Sequence, residues 1–467
     1  MKLNYKKTIC VGFAFFLISM FWQAYDTLVP LILTNKFGMA QTWSGMIMAL
    51  DNLIALFLLP VFGAISDRTN SRFGRRTPYI VIGTVVASIS FFVLSFIDGW
   101  QKANLDAATA GLSIEEKMEK AWEITAESPL ALVFFIILLL VVLLSMAIFR
   151  SPAVALMPDV TVKPLRSKGN AVINLMGTAG GIIVLVLGII FKTGKSENAL
   201  MNYTPFIGVV SALMLLALVV FLLTVREPKL VAEMKEDSRR LGIDEEREAA
   251  EENEKRDAQK GVKLGRAELI SLLLILASVA LWYMGYNAVT SKYAVYAQRE
   301  LHKDFNTTLI IAQAAAVVAY IPAGIVATKL GRRKTILGGV ALLFTAFLFA
   351  AFLHENSPML LLNALFILAG IGWATINVNS FPMVVELSKS ADVGRYTGFY
   401  YTASMSAQIL TPILSGVLMD TIGMRSLFPY AAIFVAGSFV TMLFVRHGDA
   451  KPAASGSMLE QLGGADD

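Results

Sequence analysis

The sequence predicts an all-α membrane protein, with twelve transmembrane helices arranged as two six-helix bundles. Three observations carry this. Of 467 residues, 56% are hydrophobic and only 16% are charged, with a mean hydropathy of +0.63; a water-soluble chain of this length needs far more polar surface. Twelve apolar segments can be laid down, each near the ~20 residues that a bilayer requires. Finally, a polar stretch at 226–266 leaves six segments on each side, and a glycine- and arginine-rich turn after the second segment recurs after the eighth. Two parallel repeats related by an axis along the membrane normal take this form in sequence.

The segments fall at 9–34, 43–65, 78–98, 129–155, 168–191, 204–225, 267–297, 307–329, 334–353, 358–385, 396–420 and 426–446. The first follows Lys2, Lys6 and Lys7, a start like that of a signal peptide. Its apolar run is too long for one, and no small-residue cleavage pattern follows, so it reads as a retained helix. Further basic residues follow span four (Lys163, Arg166, Lys168), span eight (Lys329, Arg332, Arg333, Lys334) and span ten (Lys389, Arg395). All lie on one side if both termini are cytoplasmic, which predicts a multi-pass protein of the cell (cytoplasmic) membrane. The loop 98–128 on the other side is acid-rich (Glu115, Glu116, Glu119, Glu123, Glu127) and is expected to form a short amphipathic helix. Spans seven and ten run long, so tilting or kinking is expected there.

The stretch 226–266 alternates acids and bases (Glu245, Glu246, Arg247, Glu248, Glu251, Glu252, Glu254, Lys255, Arg256), with no apolar face to bury. The expected domains are therefore a bundle at 1–226, a cytoplasmic charged linker at 227–266, a second bundle at 267–450 and a disordered tail at 451–467. The net charge of +5 is spread over short loops and helix ends. That points to topology and not to nucleic acid. One cysteine, Cys10, excludes an internal disulfide, and three histidines leave little for a metal site. No nucleophile–base pair, metal spacing or phosphate loop is present, so neither an enzyme nor a cofactor is expected.

The most informative polar residues are those inside the spans, because an ionised side chain at bilayer centre costs about 2.5–3.5 kcal/mol. Asp51 lies near the middle of span two, Asp26 in the outer half of span one and Arg150 in the inner half of span four. Such groups must face a cavity or a partner, and a purely structural Asp51–Arg150 ion pair is one alternative. A neutral set accompanies them. Trp22, Tyr25 and Asp26 share one face of span one, Asn170 and Asn174 one face of span five. Tyr283, Tyr286 and Asn287 lie in span seven beside Trp282, and Trp373 and Asn377 share a face of span ten. Gln313 and Gln408 lie in spans eight and eleven. A sugar offers hydroxyls that need donors and acceptors, and flat C–H faces that stack on aromatic rings. A cavity of Asn, Gln, Tyr and Trp satisfies both. Singly, each residue could equally bond between helices or anchor at the interface.

The organising turn runs from Gly63 through Asp67, Arg68, Arg72, Gly74, Arg75 and Arg76 to Pro78. Its glycines allow close backbone approach. Asp67 is expected to pair with one of the arginines or to sit at a helix N-terminus. The copy contains Gly324, Lys329, Gly331, Arg332 and Arg333, with Thr328 in place of the acid. A generic basic loop that fixes topology is the alternative. The pattern G-x-x-x-D-R…G-R-R, repeated between helices eight and nine, resembles the signature of the major facilitator superfamily. The expanded form S-D-R-T-x-S-R-F-G-R-R-x-P is similar to the glycoside–pentoside–hexuronide cation symporter branch, in particular the bacterial relatives of sucrose/proton symporters. The stretches from Gly370 to Pro382, Trp282 to Ala288 and Ser151 to Asp159 resemble the same branch, and the likeness covers Tyr25 to Arg446. Plant members carry an arginine where this chain has Val154.

The resemblance implies a secondary transporter: proton-coupled symport of a di- or oligosaccharide glucoside (sucrose- or maltose-like) by alternating access. Asp51 first and Asp26 second would then carry the proton, with Arg150 as the third member of the coupling group. Trp22, Tyr25, Asn170, Asn174, Tyr283, Tyr286, Asn287, Gln313, Trp373, Asn377 and Gln408 would line the sugar site, and the two basic turns would gate it. In the melibiose–sodium relatives, two aspartates stand one and five residues before a Pro-x-x-Gly on span two. Aligned on Pro60, those places hold Leu59 and Ala55 here, so a proton is implied over sodium. The expected partners are the sugar, the proton and the lipid bilayer, with no nucleic acid, and the expected state is a monomer. Two other readings remain at this point: an uncoupled facilitator or exporter of another small polar solute, and a membrane sensor or scaffold without flux.

Overall fold

A computed structural model describes residues 3–242, 265–387 and 393–447, save the side chains of 393 and 394. Twelve of its helices are long and apolar enough to cross a membrane. In the first half these are α1 (Tyr5–Leu31, continued by a π-helical turn Ile32–Lys36), α2 (Gln41–Arg68), α3 (Thr77–Ala108), α5 (Leu130–Val160), α6 (Arg166–Phe191) and α7 (Thr204–Thr224). The second half holds α9 (Arg266–Arg299), α10 (Phe305–Leu330), α11 (Arg332–Ala350), α12 (Met359–Glu386), α13 (Val393–Thr421) and α14 (Leu427–Leu443). Two short helices lie outside this set, α4 (Ile114–Glu127) and α8 (Glu227–Arg240).

Each half buries its own apolar core. The first joins Phe21, Phe91, Phe135, Phe149 and Phe206; the second joins Trp282, Tyr293, Phe347, Phe366 and Phe428. The halves meet through α2 with α13, α6 with α10, and α1 with α9. Exchanging the six helices of one half for those of the other maps this set of contacts onto itself, as a two-fold repeat requires. The α2–α13 contact is very close. A Cβ on Gly45 would overlap the Pro412 carbonyl oxygen, so only glycine lets these backbones meet.

The structure differs from the sequence reading in two places. Asp98 was expected to open the loop 98–128, but α3 continues to Ala108 and Asp98 lies wholly buried inside it. The reason is Lys36, also fully buried, whose ammonium donates to both Asp98 oxygens at 2.6 and 2.7 Å and sits 4.4 Å from the Tyr203 ring centre. Paired in this way, two charges stay inside the bundle that neither could occupy alone. Beyond them α4 forms as expected, opened by a capping box in which Ser113 and Glu116 bond reciprocally.

The second difference concerns 226–266, which was expected to have no face to bury. Its first part, α8, lays Leu230 and Met234 against the first bundle, and Lys7 pairs with Glu233. Glu227 is buried and caps α3: its carboxylate accepts from the backbone N–H groups of Arg75, Arg76 and Thr77 and from the Thr77 hydroxyl, at 2.7–3.1 Å. It fills the place a side chain at Gly74 would need, and Gly74 has φ +107°. Glu227→Ala should cost about 1.5–3 kcal/mol, since charge-assisted bonds are lost and their donors left bare. Hydrogen exchange should then rise across Glu227–Arg240; unchanged exchange there would contradict this role. The charged run from Glu245 to Arg256, Lys389 and the tail 451–467 lie outside the described residues.

Candidate functional site

The candidate site forms where α1, α2, α5 and α6 of one half face α9, α10 and α12 of the other. On α1, the helical period puts Trp22, Tyr25 and Asp26 together. Trp22 and Tyr25 rings meet edge to face at 5.3 Å. Asp51 is half-buried on α2 and accepts from the Asn52 side chain at 2.8 Å. Arg150 reaches in from α5, its guanidinium 5.8 Å from the Trp22 ring centre. The charges of Asp26, Asp51 and Arg150 lie within one another's fields. No carboxylate approaches Arg150 within 4.0 Å among the described residues, so the direct Asp51–Arg150 ion pair weighed above is not formed. Two acids and one base thus act on one another without a direct ion pair.

The other half supplies an aromatic wall. Tyr286 stacks on Trp373 at 3.7 Å and 4°, and Tyr283 meets the same indole edge-on at 5.2 Å. Tyr286 lies in the field of Asp26 across the interface. Asn287 follows Tyr286 on α9, and Asn377 is half-buried one turn below Trp373 on α12. The Trp22 indole N–H, the Tyr25 hydroxyl and the amide nitrogens of Asn174 and Asn287 are buried without a hydrogen-bond partner. Buried donors rarely go unpaired. Each such atom marks a place that a polar ligand or ordered water could satisfy.

Asn170 lies on α6 and Gln408 on α13. Asn170 is buried at the basic-turn end of α6, where its neighbour Gly169 borders Met157 and Thr161. At 1.5 Å per residue it sits about 6 Å from Asn174 along the helix. Gln408 is half-buried on α13 and takes no protein hydrogen bond among the described residues. Gln313, by contrast, bridges the halves by donating to Gln23 at 2.6 Å.

The basic turn folds onto its own half. Arg75 and Arg76 both bind Asp159 at the end of α5, at 2.6–3.1 Å, and Arg76 also pairs with Asp67. Arg68 is exposed. In the copy, Arg332 binds Glu386 at 2.5 Å and Arg333 donates to the Met442 and Leu443 carbonyls. Gly63 faces Ser151, Gly324 is half-buried, and Gly331 turns the chain at φ +91°.

A set of hydrogen bonds ties the halves together at the end opposite the basic turn. The π-helical turn of α1 widens the backbone and presents its carbonyls sideways. Arg299 takes the Thr34 carbonyl at 2.7 Å and the Asn35 side chain at 2.6 Å, and Asn35 donates to Gln298 at 2.8 Å. Helix α2 begins with no side-chain cap of its own. Instead Asp420 of the other half accepts from the Gln41 and Thr42 N–H groups, each at 2.8 Å, while Lys292 donates to the Gln41 carbonyl at 2.6 Å. Asp420→Ala removes a cap worth about 1 kcal/mol, plus its attraction to the helix dipole. It should therefore shift the population severalfold toward a state open at this end. Spin labels at Glu197 and His302, one on each half, should report a longer distance; an unchanged distribution would contradict the latch.

Sequence reasoning missed Gln23, Lys292, Asp420, Asp159 and Glu227. Lys292 was the most findable, since an ionisable residue inside a span suggests function by default. Glu227 and Asp420 sit at helix ends, where sequence gives no hint of the partner.

The family described as MFS/sugar transport protein matches residues 10–427. The MFS-type transporter ppzB of Metarhizium majus is 30% identical over 122 residues, covering 26% of each chain. The sucrose transport protein SUC4 of Arabidopsis thaliana is 27% identical over 156 residues, 33% of this chain and 28% of that one. The matched regions thus span only about a quarter of the length of these relatives. Among solved structures, the xylose transporter XylE from E. coli in its inward open conformation superposes with a TM-score of 0.63 at 13% identity, covering 98% of this chain and 99% of that one. That likeness shows the fold alone. With a match over nearly all twelve spans, the chain is a multi-pass membrane protein and belongs to the MFS/sugar transport protein family.

Proposed function

We propose that the protein is a proton-coupled symporter that imports a di- or oligosaccharide glucoside of the sucrose or maltose type. The observation that carries this reading is the grouping of charges and rings between the halves: Asp26, Asp51 and Arg150 lie within one another's fields, and Asp26 acts on Tyr286, which stacks on Trp373. The basic-turn end faces the cytoplasm, as do both termini, and the protein works as a monomer. The arrangement seen here is then shut on the outer side by the Arg299 and Asp420 bonds.

Sugar enters against the Tyr286–Trp373 wall, its hydroxyls meeting Asn174, Asn287 and Asn377. A low-dielectric surrounding favours the neutral form of a carboxyl group. Proton binding removes a charge that would otherwise resist enclosure, so the halves close only over the loaded site. Asp51 is the first carrier and Asp26 the second. Sodium is disfavoured because Ala55 and Leu59 occupy the places of the relatives' aspartates.

The test is uptake into proteoliposomes with imposed pH or sodium gradients, against a panel of glucosides. Accumulation of one glucoside driven by the pH gradient is expected. Uptake that follows sodium, or that ignores both gradients, would contradict the coupling; the latter would indicate a facilitator.

A further inference from the structure

Gln23 follows Trp22 on α1 and precedes Asp26 by three residues, which makes it a neighbour of Asp26 on the helix surface. Its side-chain carbonyl accepts the 2.6 Å hydrogen bond from Gln313 on α10. One neutral side-chain bond therefore spans the two halves beside the site. Each amide offers two donors and two acceptor lone pairs, so the bond leaves an NH2 group on Gln23 and a carbonyl on Gln313. Neither group has another protein partner among the described residues, and both side chains are only half-buried. Facing them is Gly181 of α6, where a Cβ would stand 3.5 Å from both side-chain oxygens. With no side chain there, three helices leave the amide pair uncovered.

An amide–amide bond is easily exchanged, because a hydroxyl both donates and accepts with similar strength. A buried ion pair in the same place would resist that exchange. The structure also ties these amides to opposite halves, so a ligand that held both would report its presence to both.

We propose that Gln23 is a further substrate-contacting residue: with Gln313 it forms an amide clamp across the halves that takes two neighbouring sugar hydroxyls and thereby sets hydroxyl selectivity. This rests on the sugar reading above. In the empty carrier the clamp closes on itself. On loading, its single internal bond is replaced by bonds to the ligand.

The experiment measures binding to purified wild type, Gln23→Ala, Gln313→Ala and the double variant by titration calorimetry. The ligand is whichever of sucrose, maltose and trehalose binds wild type most tightly, together with its monodeoxy analogues. Wild type should lose about tenfold in affinity for one deoxy analogue. Gln23→Ala should bind the parent sugar about tenfold more weakly, yet bind that analogue no worse than the parent. A merely structural tie would instead weaken all ligands by one common factor, and that result overturns the clamp. Full selectivity in Gln23→Ala overturns it as well. If Gln23→Ala does not fold, Gln23→Glu, which keeps the shape, and Gln313→Ala must show the same selective loss. Wild type that binds none of the sugars overturns the sugar reading itself, whereas normal binding with unaltered selectivity overturns only the clamp.

Discussion

Asp51→Asn is expected to keep sugar binding and sugar exchange but to abolish accumulation driven by a pH gradient. Asparagine copies the shape of a protonated carboxyl group and cannot release the proton. Asp51 is half-buried on α2, bonded among the described residues only to its neighbour Asn52, and held in the fields of Asp26 and Arg150. With the acid neutral, the halves should close over sugar whether or not a proton is present. Exchange then runs freely, and the link between the two gradients is cut. Arg150, no longer opposed by Asp51, would lean on Asp26 alone, so Asp26→Asn should have the same kind of effect with some coupling retained. Uphill concentration of sugar by Asp51→Asn would exclude it as the carrier.

The second large effect is on stability. Asp98→Asn should destabilise the protein by about 3–5 kcal/mol, because it leaves the Lys36 ammonium uncompensated. Both side chains have zero exposure, so water cannot take over the lost bond. Lys36 also carries structure on its backbone: its carbonyl accepts from Gln101 at 3.0 Å, and Gln101 holds Thr125 of α4 at 2.8 Å. Loosening Lys36 should therefore unseat α4 as well. Replacing both partners, Lys36→Met with Asp98→Leu, should recover most of the loss, since well-packed apolar side chains often match a buried pair. Thermal unfolding in detergent reads this directly. A melting temperature for Asp98→Asn equal to that of wild type would refute the pair as a structural lock.

The fold was legible because a bilayer imposes a simple code: runs of apolar residues of fixed length, basic residues on one side, and a repeated turn. The site was legible in part for the same reason. Asp26, Asp51, Arg150, Trp22 and Tyr25 on one half, and Tyr283, Tyr286 and Trp373 on the other, stood out as polar or aromatic residues at mid-span, and Asp26 acts on Tyr286 across the packed α1 and α9. What could not be read was pairing. Asp98 at the end of an apolar run looks like a loop residue until Lys36 is found opposite it. Glu227 looks like the start of a charged linker until the bare N-terminus of α3 is seen to need it. Asp420 and Gln41 are 379 residues apart, and no local pattern links a carboxylate to another helix's uncapped end.

The central claim is that sugar and proton move together. It is tested most directly by adding sugar outside de-energised proteoliposomes in weak buffer and recording external pH. The account predicts that external alkalinisation begins with sugar addition, scales with sugar entry, and is absent in Asp51→Asn although sugar still equilibrates. Sugar entry by wild type with no change in external pH would contradict it.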